Sequence, residues 1–230
     1  MLKQRVITGV SMAALFLAAV FWLPLPALAL LFAVVVALGG WEWAHLAGWE
    51  KPSLRVAYAV LLAAIMAALY SYCAPGEGPS QERVQPLLGL TCLWWSFALL
   101  WVKSYPSSAI LWRSILVRSL MGILILAFAW LAAVFLLSHP RGGVLMVIMV
   151  LLVVAADVGA YFTGKSLGRH HMAPDVSPAK TWEGFWGGMV GCILLSLILW
   201  AMLPDRASHV GLLSVMAVTL TTALASVVGD

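Results

Sequence analysis

Long runs of apolar side chains, broken by short polar connections, fill this sequence from end to end. Eight can be drawn: Val6 to Leu23, Pro26 to Gly39, Val56 to Cys73, Leu87 to Val102, Leu116 to Leu137, Val144 to Phe162, Phe185 to Leu203 and Val210 to Val228. A helix that crosses a hydrocarbon core of about 30 Å needs roughly 20 residues, and several of the runs reach that length. Backbone amides find no water inside lipid, so a spanning chain is either helical or closed into a barrel. The runs are continuous and lack the period-2 alternation of barrel strands, which selects helices. The expected fold class is all-α: a polytopic membrane bundle of about eight spans, forming one membrane domain over residues 1–230. Pro24 and Pro26, between the first two runs, mark either a tight turn between two short spans or a kink in one long helix.

Composition sharpens this picture. Of the 230 residues, 63% are hydrophobic and 10% charged, against roughly 25% charged in a soluble domain, which excludes a water-soluble globule. The net charge of +4, from 13 Lys and Arg against 9 Asp and Glu, is spread along short loops, so nucleic acid is not an expected partner. With eight spans and a cytoplasmic N-terminus, Lys3, Arg5, Lys51, Arg55, Lys103, Arg113, Arg118, Lys165, Arg169 and Lys180 fall on one side. Arg83, Arg141 and Arg206 fall on the other. Ten against three obeys the positive-inside rule, whereas fusing the first two runs weakens the split to eight against five. Lys3 and Arg5 before an apolar stretch, with Ala27-Leu28-Ala29 after it, resemble a secretory signal, but a signal anchor that becomes the first helix explains the same residues. Cys73, Cys92 and Cys192 stand apart, without metal-ligand spacing, and read as small apolar side chains. Many of the 12 Trp, including Trp22, Trp41, Trp43, Trp49, Trp112, Trp182 and Trp200, sit near run ends as an interfacial belt.

Polar side chains are unevenly placed. Val144 to Ala156 contains none, and the stretch from Asp157 to Gly188 is crowded with them. Ionisable residues are costly in lipid, so this connection is where chemistry is expected. Gly159, Gly164, Lys165 and Ser166 match the P-loop pattern GxxxxGK[ST]. That pattern works where a strand of a parallel sheet feeds the loop, and here a membrane span precedes it. Ala160, Gly164 and Gly168, four residues apart, read instead as a small-residue helix face for close packing.

Asp157, Tyr161 and Lys165 follow at one-turn intervals on roughly one face. Asp157 is either an internal packing carboxylate or one that orders a metal or a phosphate-binding lysine. Ser177-Pro178 predicts a helix start, serine capping and proline filling the first position. Lys180, Thr181 and Glu183 would then ring the helix N-terminus, a natural anion site. Glu183 is a partner for Lys180, a ligand for a divalent cation, or a carboxylate set against the helix dipole. Gly184, Gly187, Gly188 and Gly191 line one side of the next span and allow a neighbouring backbone to approach closely. The helix pair so formed would share a polar mouth suited to a substrate that is half lipid and half phosphate. His170 and His171, adjacent, read as a solvated loop pair, His45, His139 and His209 as interfacial, and Glu42 as an interfacial carboxylate.

The stretch Asp157, Gly159-Ala160-Tyr161, Gly164, Gly168, Ser177-Pro178, Lys180-Thr181-Trp182-Glu183-Gly184 and Gly187-Gly188 resembles the phosphatidate cytidylyltransferases, or CDP-diacylglycerol synthases. Weaker echoes are Leu2-Lys3-Gln4-Arg5 and Glu42-Trp43. The resemblance implies a multi-pass enzyme of a bacterial-type inner membrane that joins CTP to phosphatidate with Mg²⁺, among membrane lipids, with a homodimer left open. It casts Lys165 and Lys180 as catalytic, Tyr161, Arg169, Ser177 and Thr181 as substrate-binding, and Asp157, Glu183 and Asp230 as metal ligands. The family's most diagnostic segment follows a Gly-Asp pair, and here Gly229-Asp230 are the last residues. A 230-residue polypeptide is therefore expected to be inactive or severely impaired. The alternatives are a membrane transporter, or another lipid-phosphate transferase or kinase.

Overall fold

A computed structural model describes residues 2–74, 76, 78–202 and 211–229. Asp230, Arg206 and His209 lie outside the described residues. The elements in chain order are α1 (Leu2–Trp22), α2 (Leu25–Ala47), α3 (Pro52–Cys73), α4 (Gln81–Lys103), α5 (Ile115–Leu137), α6 (Gly142–Leu167), β1 (His171–Ala173), β2 (Ser177–Thr181), α7 (Trp182–Ala201) and α8 (Leu212–Gly229). Each predicted apolar run falls on its own helix. α2 to α8 are long and apolar enough to cross a membrane, and α1 carries a shorter apolar stretch, Val6–Trp22. The fold is that of an all-α, multi-pass membrane protein, to which one short hairpin is added.

Proline and glycine set several helix ends. Pro24 is extended at φ −68° and ψ 155° and precedes α2, where its missing N–H costs nothing. The Phe16 and Phe32 rings stack with centroids 6.4 Å apart. In one continuous helix they would stand roughly 24 Å apart, so the chain turns back at Pro24. α2 ends on Gly48, whose φ of +111° suits a residue without Cβ.

The chain forms two compact units. The first comprises residues 1–96 and 109–146, its core built from Leu62, Met66, Val84, Ala127, Leu131 and Val134. Several polar groups inside it are satisfied helix to helix: Trp130 Nε1 donates to Ala29 O at 2.9 Å and Tyr58 OH to Ser119 O at 2.7 Å. Trp43 Nε1 donates to Arg118 O, and Trp49 Nε1 to Ser119 Oγ. These two indoles from the expected belt thus also tie helices together. Glu42 sits 3.7 Å from Arg55, whose guanidinium lies over the Trp41 ring.

The second unit comprises residues 97–108 and 147–230. Leu152, Ala156, Met189, Cys192 and Ala223 form its core, on α6, α7 and α8. The α6–α7 contact depends on glycine, as the spacing predicted. A Cβ on Gly188 would lie 2.8 Å from Ala156 O, one on Gly191 2.8 Å from Ala155 O, and one on Gly184 3.0 Å from Ala160 O. Gly187 leaves the space that the Thr163 side chain occupies. Cys192 Sγ donates to Leu152 O at 3.3 Å across the same seam, and all three cysteines are free thiols.

Two sequence expectations meet this unit directly. The P-loop match, residues 159–166, is helical throughout within α6. The described strands, β1 and β2, come after it and pair antiparallel, so no parallel strand feeds a phosphate loop. The helix start expected at Ser177-Pro178 is corrected: those residues open β2, and the helix begins four residues later with Thr181 as its cap. Pairing of Ala173 with Ser177 and His171 with Thr181 holds the segment extended. Proline, with no N–H to offer, is tolerated in a two-stranded hairpin whose register shifts between those pairs.

Candidate active site

α6, the hairpin, α7 and α8 enclose a cavity of about 300 Å³ within the second unit. Its polar lining is Asp157 and Tyr161 from α6, Ser177 and Lys180 from β2, the cap residue Thr181, and Ser226 from α8. Its apolar lining includes Met172, Phe185, Met189 and Val227, and Gly164, Gly184 and Gly188 also border it. Glycines that let α6 and α7 approach also leave room for a ligand between them. The lining is mostly apolar with a minority of polar groups, which suits an amphiphile better than a free ion.

The start of α7 is built from short local contacts. Thr181 Oγ1 accepts from Gly184 N at 3.1 Å, and Trp182 N donates to His170 O at 2.9 Å. The Glu183 carboxylate turns back toward the end of α6. Its Oε2 accepts from the amides of Arg169 and His170 at 3.1 and 3.3 Å, while Oε1 lies 2.6 Å from His170 Nδ1. The polar connection is thereby pinned to the helix that follows the hairpin.

Five of the nine expected site residues meet at the cavity: Asp157, Tyr161, Ser177, Lys180 and Thr181. Lys165 and Arg169 are exposed and do not line it. Lys165 Nζ instead lies 3.4 Å from Tyr161 OH and 5.6 Å from the centre of that ring. Glu183 faces the Arg169–His170 loop, not Lys180. Asp230 lies outside the described residues. His170, read as half of a solvated loop pair, is the partner sequence reasoning missed. Its contact spans 13 residues, and no local spacing announces it.

Among the described residues, a divalent cation has one carboxylate available in this cavity, Asp157. Among the described residues no three His, Cys, Asp or Glu side chains cluster closely enough to hold a metal by themselves. Mg²⁺ commonly takes one or two carboxylates and completes its shell with substrate phosphates and water. Asp157, which shares the lining with the hydroxyls and lysine of β2, fits that pattern. Glu183 does not fit it, because both of its oxygens are already engaged.

Similarity to known proteins runs along most of the chain. The model of the cytidylyltransferase family matches residues 3–230. The chain is 41% identical to the phosphatidate cytidylyltransferase of Pseudomonas aeruginosa over 82% of its own length and 67% of that protein. It is 35% identical to the phosphatidate cytidylyltransferase of Haemophilus influenzae over 86% of its length and 72% of that relative. A shorter stretch, 22% of the chain, is 52% identical to the phosphatidate cytidylyltransferase of Bacillus subtilis. Fold and site together describe a membrane-embedded transferase. The chain belongs to the cytidylyltransferase family.

Proposed function

We propose that this protein is a phosphatidate cytidylyltransferase, which condenses CTP with phosphatidate to give CDP-diacylglycerol and pyrophosphate. The observation that carries this reading is the mixed lining of the cavity, which brings Lys180, Ser177, Thr181 and Asp157 together with Phe185, Met189 and Val227. A phosphate oxygen of the lipid attacks the α-phosphorus of CTP. The new O–P bond forms as the bond to the β-phosphate oxygen breaks, and pyrophosphate carries the electron pair away. Lys180 supplies positive charge to the phosphates, Ser177 and Thr181 donate hydrogen bonds to them, and the apolar lining receives the glycerol end of the lipid. Mg²⁺, held by Asp157 together with substrate phosphates, would neutralise charge on the leaving pyrophosphate. The lysine and arginine distribution supports a cytoplasmic N-terminus in a bacterial inner membrane, which puts the hairpin on the nucleotide's side.

The test uses protein expressed from its complete gene and CTP labelled at either the α- or the γ-phosphate. Cytidylyl transfer leaves the α label on lipid and the γ label in pyrophosphate. Lipid carrying the γ label would establish a kinase and overturn the proposal, as would the absence of any lipid product.

A further inference from the structure

We infer that the first unit carries a separate binding site for an anionic phospholipid, at the start of α5 and in the groove between α3 and α5. Two cavities border adjacent residues of α5. One, of about 470 Å³, is lined by Ala109, Ile110, Trp112, Arg113 and Arg118. The other, of about 480 Å³, is lined largely by apolar side chains, among them Leu54, Leu61, Leu116, Leu120 and Ile123. Arg118 borders the first and Ser119, the next residue, borders the second.

The first cavity is built for an anion. Neither arginine has a carboxylate partner among the described residues. Arg118 donates from Nη2 to Arg113 O at 2.9 Å and from Nη1 to Leu46 O at 3.5 Å, and its Nε is buried with no acceptor. A guanidinium has five N–H donors, so this one has donors to spare for a phosphate. Trp112, beside them, is the side-chain type that settles at the headgroup level. Basic pockets at helix ends are a recurrent feature of lipid headgroup recognition.

The second cavity selects a lipid over free phosphate. Leu116, Leu120 and Ile123 recur at helical spacing on α5 and face Leu54 and Leu61 of α3, a greasy track of roughly 10 Å that starts beside the arginines. Leu61, Leu116 and Leu120 are half exposed or more, so the groove is open along its length. Its three polar lining side chains are internally satisfied, since Trp49 Nε1 donates to Ser119 Oγ, Tyr58 OH donates to Ser119 O and Ser119 Oγ donates to Ile115 O. An occupant therefore meets hydrocarbon in the groove and cation at its mouth. This site is independent of the cavity assigned to phosphatidate and CTP.

The experiment is native mass spectrometry of the detergent-purified protein with phosphatidylglycerol or phosphatidylcholine. Wild type should retain phosphatidylglycerol at least about tenfold better than phosphatidylcholine, the scale of one charge-assisted contact. Arg113→Glu should abolish that preference. Its side chain is exposed, so the fold does not depend on it. Leu120→Trp, which fills the groove, should lower retention, whereas Lys180→Gln, a control on the other cavity, should leave retention unchanged. Unchanged retention in both variants would overturn the inference. So would complete displacement by inorganic phosphate at equal concentration, or a loss of dimer mass in Arg113→Glu, which would make the surface a contact between copies.

Discussion

Glu183 shows how one side chain can be misread from its neighbours along the chain. Three residues from Lys180 and near a helix start, it has the position of a metal ligand or a lysine partner. Its carboxylate instead collects two amides and the His170 ring from the far side of the hairpin. Replacing Glu183 with Ala should speed hydrogen exchange at the Arg169 and His170 amides by about tenfold or more, because a charge-assisted acceptor is lost. Exchange unchanged at those two amides would show that the contact does not hold the loop. Lys165 illustrates the same difficulty on a helix. Eight residues after Asp157 it is rotated by roughly 80°, whereas Tyr161 is rotated by roughly 40° and Gly164 by about 20°. Tyr161 and Gly164 consequently reach the cavity with Asp157, and Lys165 folds over the outer side of Tyr161.

Among the elements, α6 and α7 form the pair on which the site depends. Their approach requires bare backbone at Gly159, Gly184, Gly188 and Gly191. Gly188→Ala should cost about 1–3 kcal/mol, since its methyl would press on Ala156 O. Gly89→Ala on α4, where a Cβ meets nothing within 4 Å, should be neutral or stabilise by about 0.5–1 kcal/mol. Thermal unfolding in detergent would compare the two, and equal effects would contradict the packing described here. The glycine seam was legible in advance because helical spacing is local information, and the eight spans were legible because lipid demands long apolar runs. The hairpin was not. Ser177-Pro178 has the chemistry of a helix cap, and pairing with residues up to ten positions earlier decided otherwise. Non-local pairing leaves no mark on a short sequence window. For the same reason the polar stretch could be singled out as the candidate site, while the five residues that converge could not be separated from those that do not.

At the scale of the whole molecule, the charge distribution and the site make one consistent proposal. On that proposal, the ten-to-three division of lysine and arginine puts the hairpin in the cytoplasm, where a nucleotide is available. Alkaline phosphatase fused after Arg141 should be active, and fused after Lys51 or Arg169 it should be inactive; the reverse pattern would invert the molecule. Family membership establishes the kind of chemistry, and the amphiphilic cavity is the place proposed for it. Two lysines on the same polar stretch separate that cavity from its surroundings, since Lys180 lines it and Lys165 does not. The decisive measurement is kcat/KM for cytidylyl transfer to phosphatidate in Lys180→Ala and Lys165→Ala proteins made from the complete gene. Lys180→Ala should lose about a hundredfold or more, as when a phosphate-stabilising donor is removed. Lys165→Ala should lose less than about fivefold, the size of an exposed contact. A large loss in Lys165→Ala with Lys180→Ala unimpaired would place the chemistry outside the cavity and contradict the account.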